Sequence, residues 1–278
     1  MAKNTQPVFI VGSGRNGTRS LYRMLTGTEG VKIHHEYVCT HVQKLAALYY
    51  MGLIEKKEVK DTLMELHGAA IKYTTDNIWI DSSNKLSWLI EPLNELFPTS
   101  KFLLIVRDGR NVVSSFYYKL RDEMYDDNSV KIMENWLNNR KELTIPPPEK
   151  KYWWNIPQEN QPFYEEFKEF NRLQRAAYHW SECNRFVLEC FEKLNDDQKM
   201  TVRLEDIVNN EIELRKTIEF MGIKYDPLFF EYLQTPRNVF FPLHFQLTPK
   251  QNKEFDSICS GMMRKLGYKD KDTYVVNY

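Results

Sequence analysis

Residues 7–21 read "PVFIVGSGRNGTRSL", a short apolar run that leads into a glycine-rich loop. The run Pro7–Val11 predicts a buried β-strand, and the residues after the loop predict a helix that ends near Gly27. A loop between a strand and a helix N-terminus directs backbone N–H groups and the positive end of the helix dipole at an anion. Because Gly12 and Gly17 have the G-x-x-x-x-G spacing of phosphate loops, this stretch predicts a phosphate site in an α/β fold.

The loop lacks the lysine that follows the second glycine in loops that bind nucleoside triphosphates. In those loops the lysine reaches the β- and γ-phosphates, and the next hydroxyl holds Mg²⁺. Here Thr18 and Arg19 fill the two positions, Ser20 comes one step later, and Arg15 supplies a cation inside the loop. This pattern favours an anion with less charge than a triphosphate, held without metal. On the loop alone, an ordinary strand-to-helix turn remains the alternative.

A second candidate anion site follows the clearest predicted strand, "KFLLIV" at 101–106, which is apolar on both faces as a central parallel strand should be. Arg107 ends this strand, and Ser115 lies eight residues later on a predicted helix. The guanidinium fork and the hydroxyl suit a phosphate. Two anion sites on βα units predict a ligand with two separated phosphates. The alternative is a surface salt-bridge cluster of Arg107 with Asp108 and Arg110.

The rest of the sequence continues the alternation of strands and helices, which predicts a mainly parallel sheet flanked by helices in a single domain over residues 1–278. One region, about 121–170, is polar and aromatic and contains three consecutive prolines. Prolines forbid regular structure there. Its aromatic residues favour an ordered insertion over the ligand-binding end of the sheet, and a disordered linker is the alternative.

The charge, the cysteine content and the hydrophobic runs of the sequence argue against nucleic-acid binding, disulfides, zinc sites and membrane spans. Lys plus Arg and Asp plus Glu number 38 each among 278 residues, so no global charge points to nucleic acid or a membrane surface. The four cysteines form no C-x-x-C pair, which favours free thiols over a disulfide framework or a zinc site. No run is long enough for a membrane span, and the polar start is no signal peptide. We therefore expect a soluble cytoplasmic protein without a metal.

Four segments in order resemble the sulfotransferases that use 3′-phosphoadenosine 5′-phosphosulfate (PAPS). "GRNGTRSL" resembles the family's 5′-phosphosulfate loop, and "KFLLIVRDGRNVVSSFY" its 3′-phosphate segment. "VRLEDIVNNEIELRKTIEFMGI" and "LTPKQNKEFDSICSGMMRKLGY" resemble the later strand–helix segment and the C-terminal helix. The motifs resemble those of the tyrosylprotein, carbohydrate and bacterial branches of the family. The resemblance implies a fold like the nucleotide kinases, transfer of a sulfuryl group to a hydroxyl, no metal, and 3′,5′-adenosine bisphosphate (PAP) as product.

The resemblance also implies which residues bind the donor. Arg15 takes the position beside the oxygen that bridges phosphate and sulfuryl, and Arg107 and Ser115 fall on the 3′-phosphate ligands. In a later segment, Arg237 or His244 is a candidate 3′-phosphate contact, with a surface arginine as the alternative. The remaining cradle positions of the 5′-phosphate are Asn16, Gly17, Thr18, Arg19 and Ser20. Arg19 and Asn16 depart from the family's threonine and serine.

The proton acceptor is expected in "VKIHHEYVCTH", residues 31–41. In the tyrosylprotein and several bacterial branches a glutamate follows the loop at the spacing that separates Arg15 from Glu36, so the resemblance gives Glu36 the role of general base. His35 or His34 is the rival, because the cytosolic branch uses a histidine. Glu36 as a surface capping or pairing residue is the third possibility. We also count His35 among the candidate acceptor contacts.

The acceptor itself is expected to be a carbohydrate, another glycan-like or small molecule, or a tyrosine peptide. Trp153 and Trp154 are the candidate acceptor contacts, since aromatic faces suit sugar rings and the neighbouring Lys150 and Lys151 would attract an acidic chain. Packing of both tryptophans in the insertion is the alternative. Two other functions stay open: a nucleotide or nucleoside kinase with a degenerate loop, and a non-catalytic module that binds adenosine bisphosphate.

Overall fold

The computed structural model describes residues 5–120, 125–128, 130, 131, 134, 155–235 and 246–268. Within them, five parallel strands form one sheet in the order β2-β3-β1-β4-β5. The predicted fold class, a parallel α/β sheet flanked by helices, is confirmed. The strands are β1 Gln6–Val11, β2 Val31–His35, β3 Ile78–Ser82, β4 Lys101–Val106 and β5 Lys199–Arg203.

Helices connect these strands and cover both faces of the sheet. They are α1 Thr18–Leu25, α2 Cys39–Tyr50, α3 Lys56–Leu63, α4 Ala69–Tyr73, α5 Ile90–Leu96, α6 Gly109–Lys119, α7 Arg172–Glu192, α8 Leu204–Asn209, α9 Glu211–Phe220, α10 Pro227–Gln234 and α11 Pro249–Lys265. A π-helical turn, Met64–Gly68, joins α3 to α4, and a 3₁₀ helix, Asn84–Trp88, follows β3.

The central strand β1 shows why the sheet forms. Its residues alternate between two apolar clusters: Phe9 packs with Trp79 and Phe102 on one face, and Val8 and Ile10 pack on the other. All five of these side chains are 0–1% exposed. Because all strands run in the same direction, the loops that follow β1, β3 and β4 begin at the same edge of the sheet, the carboxyl edge. That edge carries the predicted phosphate loop.

The structure differs from the sequence-based prediction in two places. The stretch 31–35 forms the edge strand β2, whose mixture of polar and apolar residues gave no strand signal. The sequence 85–98 predicts a helix interrupted at Pro92, but in the structure the break lies at Leu89, and Pro92 lies in the first turn of α5. Proline is tolerated in a first turn because its missing N–H would have no intrahelical partner there.

The predicted insertion lies only partly within the described residues. Its last part, 155–170, packs on the core through Ile156, Phe167 and Phe170, which are buried. The three prolines, Trp153 and Trp154 lie outside the described residues.

Candidate active site

The loop after β1 has the backbone geometry that an anion cradle requires. Gly12, Gly14, Arg15 and Gly17 all have positive φ, at 154°, 85°, 57° and 96°. Gly17 caps α1 in a left-handed conformation, so the first N–H groups of that helix face the loop. A positive φ at a non-glycine residue costs about 1–3 kcal/mol, and such strain is typical of ligand-binding loops.

Hydrogen-bonding contacts with three other elements hold this loop in place. Ser87 Oγ, in the 3₁₀ helix, accepts from Gly12 N–H at 2.9 Å and donates to its carbonyl at 3.0 Å. His179 Nε2, on α7, lies 3.0 Å from the Ser13 carbonyl. Asn16 Nδ2 donates to the carbonyl of Ile105 in β4. The Asn16 side chain therefore anchors the loop to the sheet.

The two predicted phosphate motifs meet at Arg15. Its Nε donates to Ser115 Oγ at 2.9 Å, across 100 residues of sequence. Arg107, at the end of β4, donates from a terminal guanidinium nitrogen to the Arg15 carbonyl at 3.2 Å. Thus the cation of the first motif and both residues of the second motif form one contiguous group at the carboxyl edge of the sheet.

Lys119 joins this cationic group and was not predicted from the sequence. It lies four residues after Ser115 on α6, which puts both side chains on the same face of the helix. Its Nζ is buried. Burial, together with the positive charges of Arg15 and Arg107, lowers the pKa of Lys119 to about 8. The i, i+4 spacing after the second motif is the sequence signal that would have identified it.

Glu36 lies just past the end of β2 with φ 57°, and it forms an ion pair with Lys85. Lys85 Nζ is 2.5 Å from Glu36 Oε1, and the two side chains are 4% and 26% exposed. Burial lowers the pKa of Lys85, and the carboxylate of Glu36 opposes that effect. Lys85 follows β3, and only the adjacency of β2 and β3 brings it to Glu36. This contact therefore had no signal in sequence spacing.

A buried pair beneath this turn orients it. Asp81 Oδ1 accepts from the Tyr37 N–H at 3.1 Å, and Asp81 Oδ2 lies 3.2 Å from His67 Nε2. Asp81 and His67 are completely buried. The N–H of Glu36 itself donates to the Ser82 carbonyl at 3.1 Å. Hydrogen bonds on both sides thus fix the left-handed backbone of Glu36.

The two histidines of β2 point to opposite faces of the sheet, as strand geometry requires. The His35 ring stacks on Tyr22 of α1 at 5.6 Å, and its Nδ1 lies 2.8 Å from the Ser82 carbonyl. His34 packs between Tyr37 and Trp79, and burial lowers its pKa. Both rings thus have packing partners.

The described part of the chain also bears on the remaining predicted site residues, on metal sites and on membrane spans. Thr18 is buried, Ser20 is half-buried and Arg19 is exposed, all in the first turn of α1. Among the described residues no group of His, Cys, Asp and Glu could hold a metal ion. Arg237 and His244 lie outside those residues. Where the structure describes helices, none is long and apolar enough to cross a membrane.

Comparisons with known proteins decide the family. A sequence model described as the sulfotransferase family matches residues 7–144, which contain both phosphate motifs, Glu36 and Lys85. The chain belongs to the sulfotransferase family. It is an enzyme of the sulfuryl-transfer class. A comparison with curated protein sequences gives no significant match.

Solved structures of sulfotransferases share the fold. The sulfotransferase domain from the curacin biosynthetic pathway is 15% identical, with a TM-score of 0.52 over 95% of this chain and 98% of that one. The sulfotransferase STF9 from Mycobacterium avium is 11% identical, with a TM-score of 0.52 over 96% of this chain and 78% of that one. At these identities the likeness establishes the architecture alone.

Proposed function

We propose that this sulfotransferase moves the sulfuryl group of PAPS to a hydroxyl of a carbohydrate or another small hydroxylated acceptor. The observation that carries the proposal is the contact of Arg15 with Ser115, reinforced by the hydrogen bond from Arg107 to the Arg15 carbonyl. It joins the two anion-binding motifs into one site for a nucleotide that carries phosphates at both 5′ and 3′ positions. A kinase with a single nucleoside triphosphate would need only the first motif.

The charges support a donor that is bound without help from a metal. Burial, and after it the positive charges of Arg15 and Arg107, lowers the pKa of Lys119, so part of that shift reflects repulsion among the three cations. An anion between them relieves that repulsion, and each charge-assisted hydrogen bond contributes about 1.5–3 kcal/mol. The N–H groups at the start of α1 add partial positive charge at the 5′ end.

In the proposed reaction the acceptor oxygen attacks sulfur in line with the bond to the 5′-phosphate oxygen. An oxygen–sulfur bond to the acceptor forms, the bond between sulfur and the bridging oxygen breaks, and that oxygen leaves with PAP. Arg15 would stabilise the negative charge that develops on the bridging oxygen. Glu36 would accept the proton of the hydroxyl.

Lys85 is proposed to hold the base in place. Its buried ammonium group donates a charge-assisted hydrogen bond to Glu36 Oε1, which fixes the position of the carboxylate. The left-handed backbone at Glu36 and the hydrogen bonds on either side of it hold this carboxylate near the edge of the sheet. The rival base, His35, has its Nδ1 near the Ser82 carbonyl and its ring on Tyr22, which favours Glu36.

Two measurements test the proposal. PAP without Mg²⁺ should raise the melting temperature more than ATP with Mg²⁺, and Arg107→Ala should remove most of that rise. Transfer of radiolabelled sulfur from PAPS should then be detectable in a screen of sugars, phenols and tyrosine peptides. A larger shift with ATP and Mg²⁺ would support the kinase. A strong PAP shift with no transfer to any acceptor would support a non-catalytic binding module.

A further inference from the structure

A small cavity lies beside the Glu36–Lys85 pair, between that pair and the phosphate loop. Its polar lining comes from the 3₁₀ helix, α2, α7 and the described end of the insertion, and two alanines of α2 and an indole add apolar surface. The side chains are Gln43, Asn84, Lys85, Trp88, Asn155 and His179. Two of them fix its place: Lys85 contacts Glu36, and His179 contacts the Ser13 carbonyl of the loop.

Two buried polar atoms on the lining residues have no hydrogen-bond partner within the described parts of the chain. They are Asn155 Nδ2 and His179 Nδ1, on side chains of residues that are 2% and 4% exposed. Leaving a buried polar group unpaired costs about 1–3 kcal/mol, so most such groups in proteins have a partner. Both atoms belong to residues that line the cavity, so a molecule bound there could supply their missing partners.

The chemistry of these two atoms defines the group that fits them. Asn155 Nδ2 is a donor. His179 Nε2 faces a carbonyl oxygen and must carry the ring proton, so Nδ1 of the neutral ring is an acceptor. Burial lowers the pKa of His179 to about 4, so the ring stays neutral at physiological pH. One donor and one acceptor on the lining residues match a hydroxyl group, which both accepts and donates.

We propose that this cavity binds a second hydroxyl of the acceptor, next to the hydroxyl that is sulfated, so that the enzyme selects polyols such as saccharides over simple alcohols and phenols. The inference rests on the proposed function, because it assumes that the acceptor approaches Glu36. Trp88 offers a flat apolar wall to the C–H groups of such a molecule. We expect the ligand to be uncharged at this cavity, because Lys85 already pairs with the carboxylate of Glu36.

A pair of matched acceptors tests the proposal: trans-1,2-cyclohexanediol and cyclohexanol, which differ by one hydroxyl. With PAPS as donor, kcat/KM for the diol should exceed that for cyclohexanol about tenfold, the effect of one or two added hydrogen bonds. Asn155→Leu removes the donor at similar volume and keeps the backbone carbonyl that accepts from Tyr125. In this variant the ratio should fall to about two, the statistical factor of two hydroxyls.

Asn77→Leu is the matched control, because Asn77 is exposed and precedes β3 at the opposite edge of the sheet. It should keep the wild-type ratio. A wild-type ratio near two, with cyclohexanol readily sulfated, would overturn the polyol site and leave the proposed function intact.

Binding provides a readout that does not depend on turnover. Saturation-transfer NMR with PAP present should show contact of the diol with the wild-type protein and its loss in Asn155→Leu. If neither alcohol is sulfated but the diol binds in this Asn155-dependent way, the site stands and sulfuryl transfer is in question. If the diol saturates equally in both proteins, or in neither, the site is wrong.

Discussion

Lys85 Nζ lies 2.5 Å from Glu36 Oε1, although 49 positions separate the two residues in the sequence. The contact exists because β2 and β3 are neighbours in the sheet, with His35 paired to Ser82 at their last shared position. Glu36 is the first residue after β2, and Lys85 lies in the first turn after β3. A predicted base and an unpredicted cation thus share one edge of the sheet.

Replacing the carboxylate alone tests the base. Glu36→Gln keeps the shape and an oxygen for Lys85 but cannot accept the proton, so turnover should fall by about 10²–10⁴. Affinity for PAP, measured by calorimetry, should stay at the wild-type value because Glu36 lies outside the phosphate loop. Turnover near the wild-type level in this variant would transfer the role to His35 or His34.

Removing the cation tests whether Lys85 positions the carboxylate of Glu36. In Lys85→Met the carboxylate loses its charge-assisted hydrogen bond, so kcat should fall about tenfold or more. Affinity for PAP should stay at the wild-type value, because Lys85 lies outside the phosphate loop. A wild-type kcat in this variant would show that Lys85 only packs against the site.

The sequence predicted the grouping of Arg15, Arg107 and Ser115 better than the pairing of Glu36 with Lys85. The strands β1 and β4 are apolar on both faces, and each is followed by one of the two motifs, so local pattern sufficed to place these three residues at one edge of the sheet. Strand β2 at the sheet edge carries polar residues and gave no periodic signal. Its pairing with β3, which creates the contact between Glu36 and Lys85, is a property of sheet order and not of spacing.

The buried polar residues were harder to predict for the same reason. The contacts of Asp81 with His67 and of His179 with Ser13 join segments 14 and 166 positions apart. A lone histidine in an apolar stretch has no sequence feature that distinguishes these roles from ordinary packing. Lys119 is different, since its spacing from Ser115 is local and helical.

We expect Lys119 to couple the binding of PAP to the uptake of protons. Its pKa of about 8 in the ligand-free protein lies below the ordinary lysine value of 10.5. Between these two pH values the folded protein has lost the proton while the unfolded chain retains it, so the contribution of Lys119 to stability rises with pH. A phosphate bound beside it should restore the charged form. At pH 8.5, PAP binding should therefore take up protons.

Calorimetry in HEPES and in Tris, whose ionisation enthalpies differ, measures this uptake. In Lys119→Met the proton uptake should disappear, and PAP affinity should fall by about 1.5–3 kcal/mol. The ligand-free variant should melt at a higher temperature than wild type at pH 7, because a repelled cation is gone. Equal proton uptake in the variant and the wild type would assign the titration to another group.

Asp81 positions the turn that carries Glu36. Asp81→Ala leaves both the Tyr37 N–H and His67 without their shared acceptor, at a cost of about 1–3 kcal/mol for each group. Asp81→Asn keeps an oxygen for the Tyr37 N–H. We expect a drop in kcat of about tenfold or more in the alanine variant, a smaller drop in the asparagine variant, and unchanged PAP affinity in both. Loss of stability in Asp81→Ala with wild-type kcat would restrict Asp81 to folding.

Two glycines with nearly the same backbone separate the effect of strain from the effect of the phosphate loop. Gly17 has φ 96° and Gly27 has φ 89°, so alanine is strained at either position by about 1–3 kcal/mol. A Cβ at Gly17 would lie 2.6 Å from Leu204 Cδ1, whereas one at Gly27 meets nothing within 4 Å. Denaturant titration should show some loss of stability in both variants and a larger loss in Gly17→Ala.

Only the loop variant should affect the donor. Gly17 caps the helix whose N–H groups face the phosphate loop, so a shift of its backbone or of Leu204 displaces those groups. PAP affinity should therefore fall at least tenfold in Gly17→Ala, the loss of about 1.4 kcal/mol that one weakened charge-assisted hydrogen bond accounts for. Gly27→Ala should bind PAP as wild type does, because Gly27 follows the far end of α1. Equal affinities in the two variants would show that the start of α1 takes no part in holding the nucleotide.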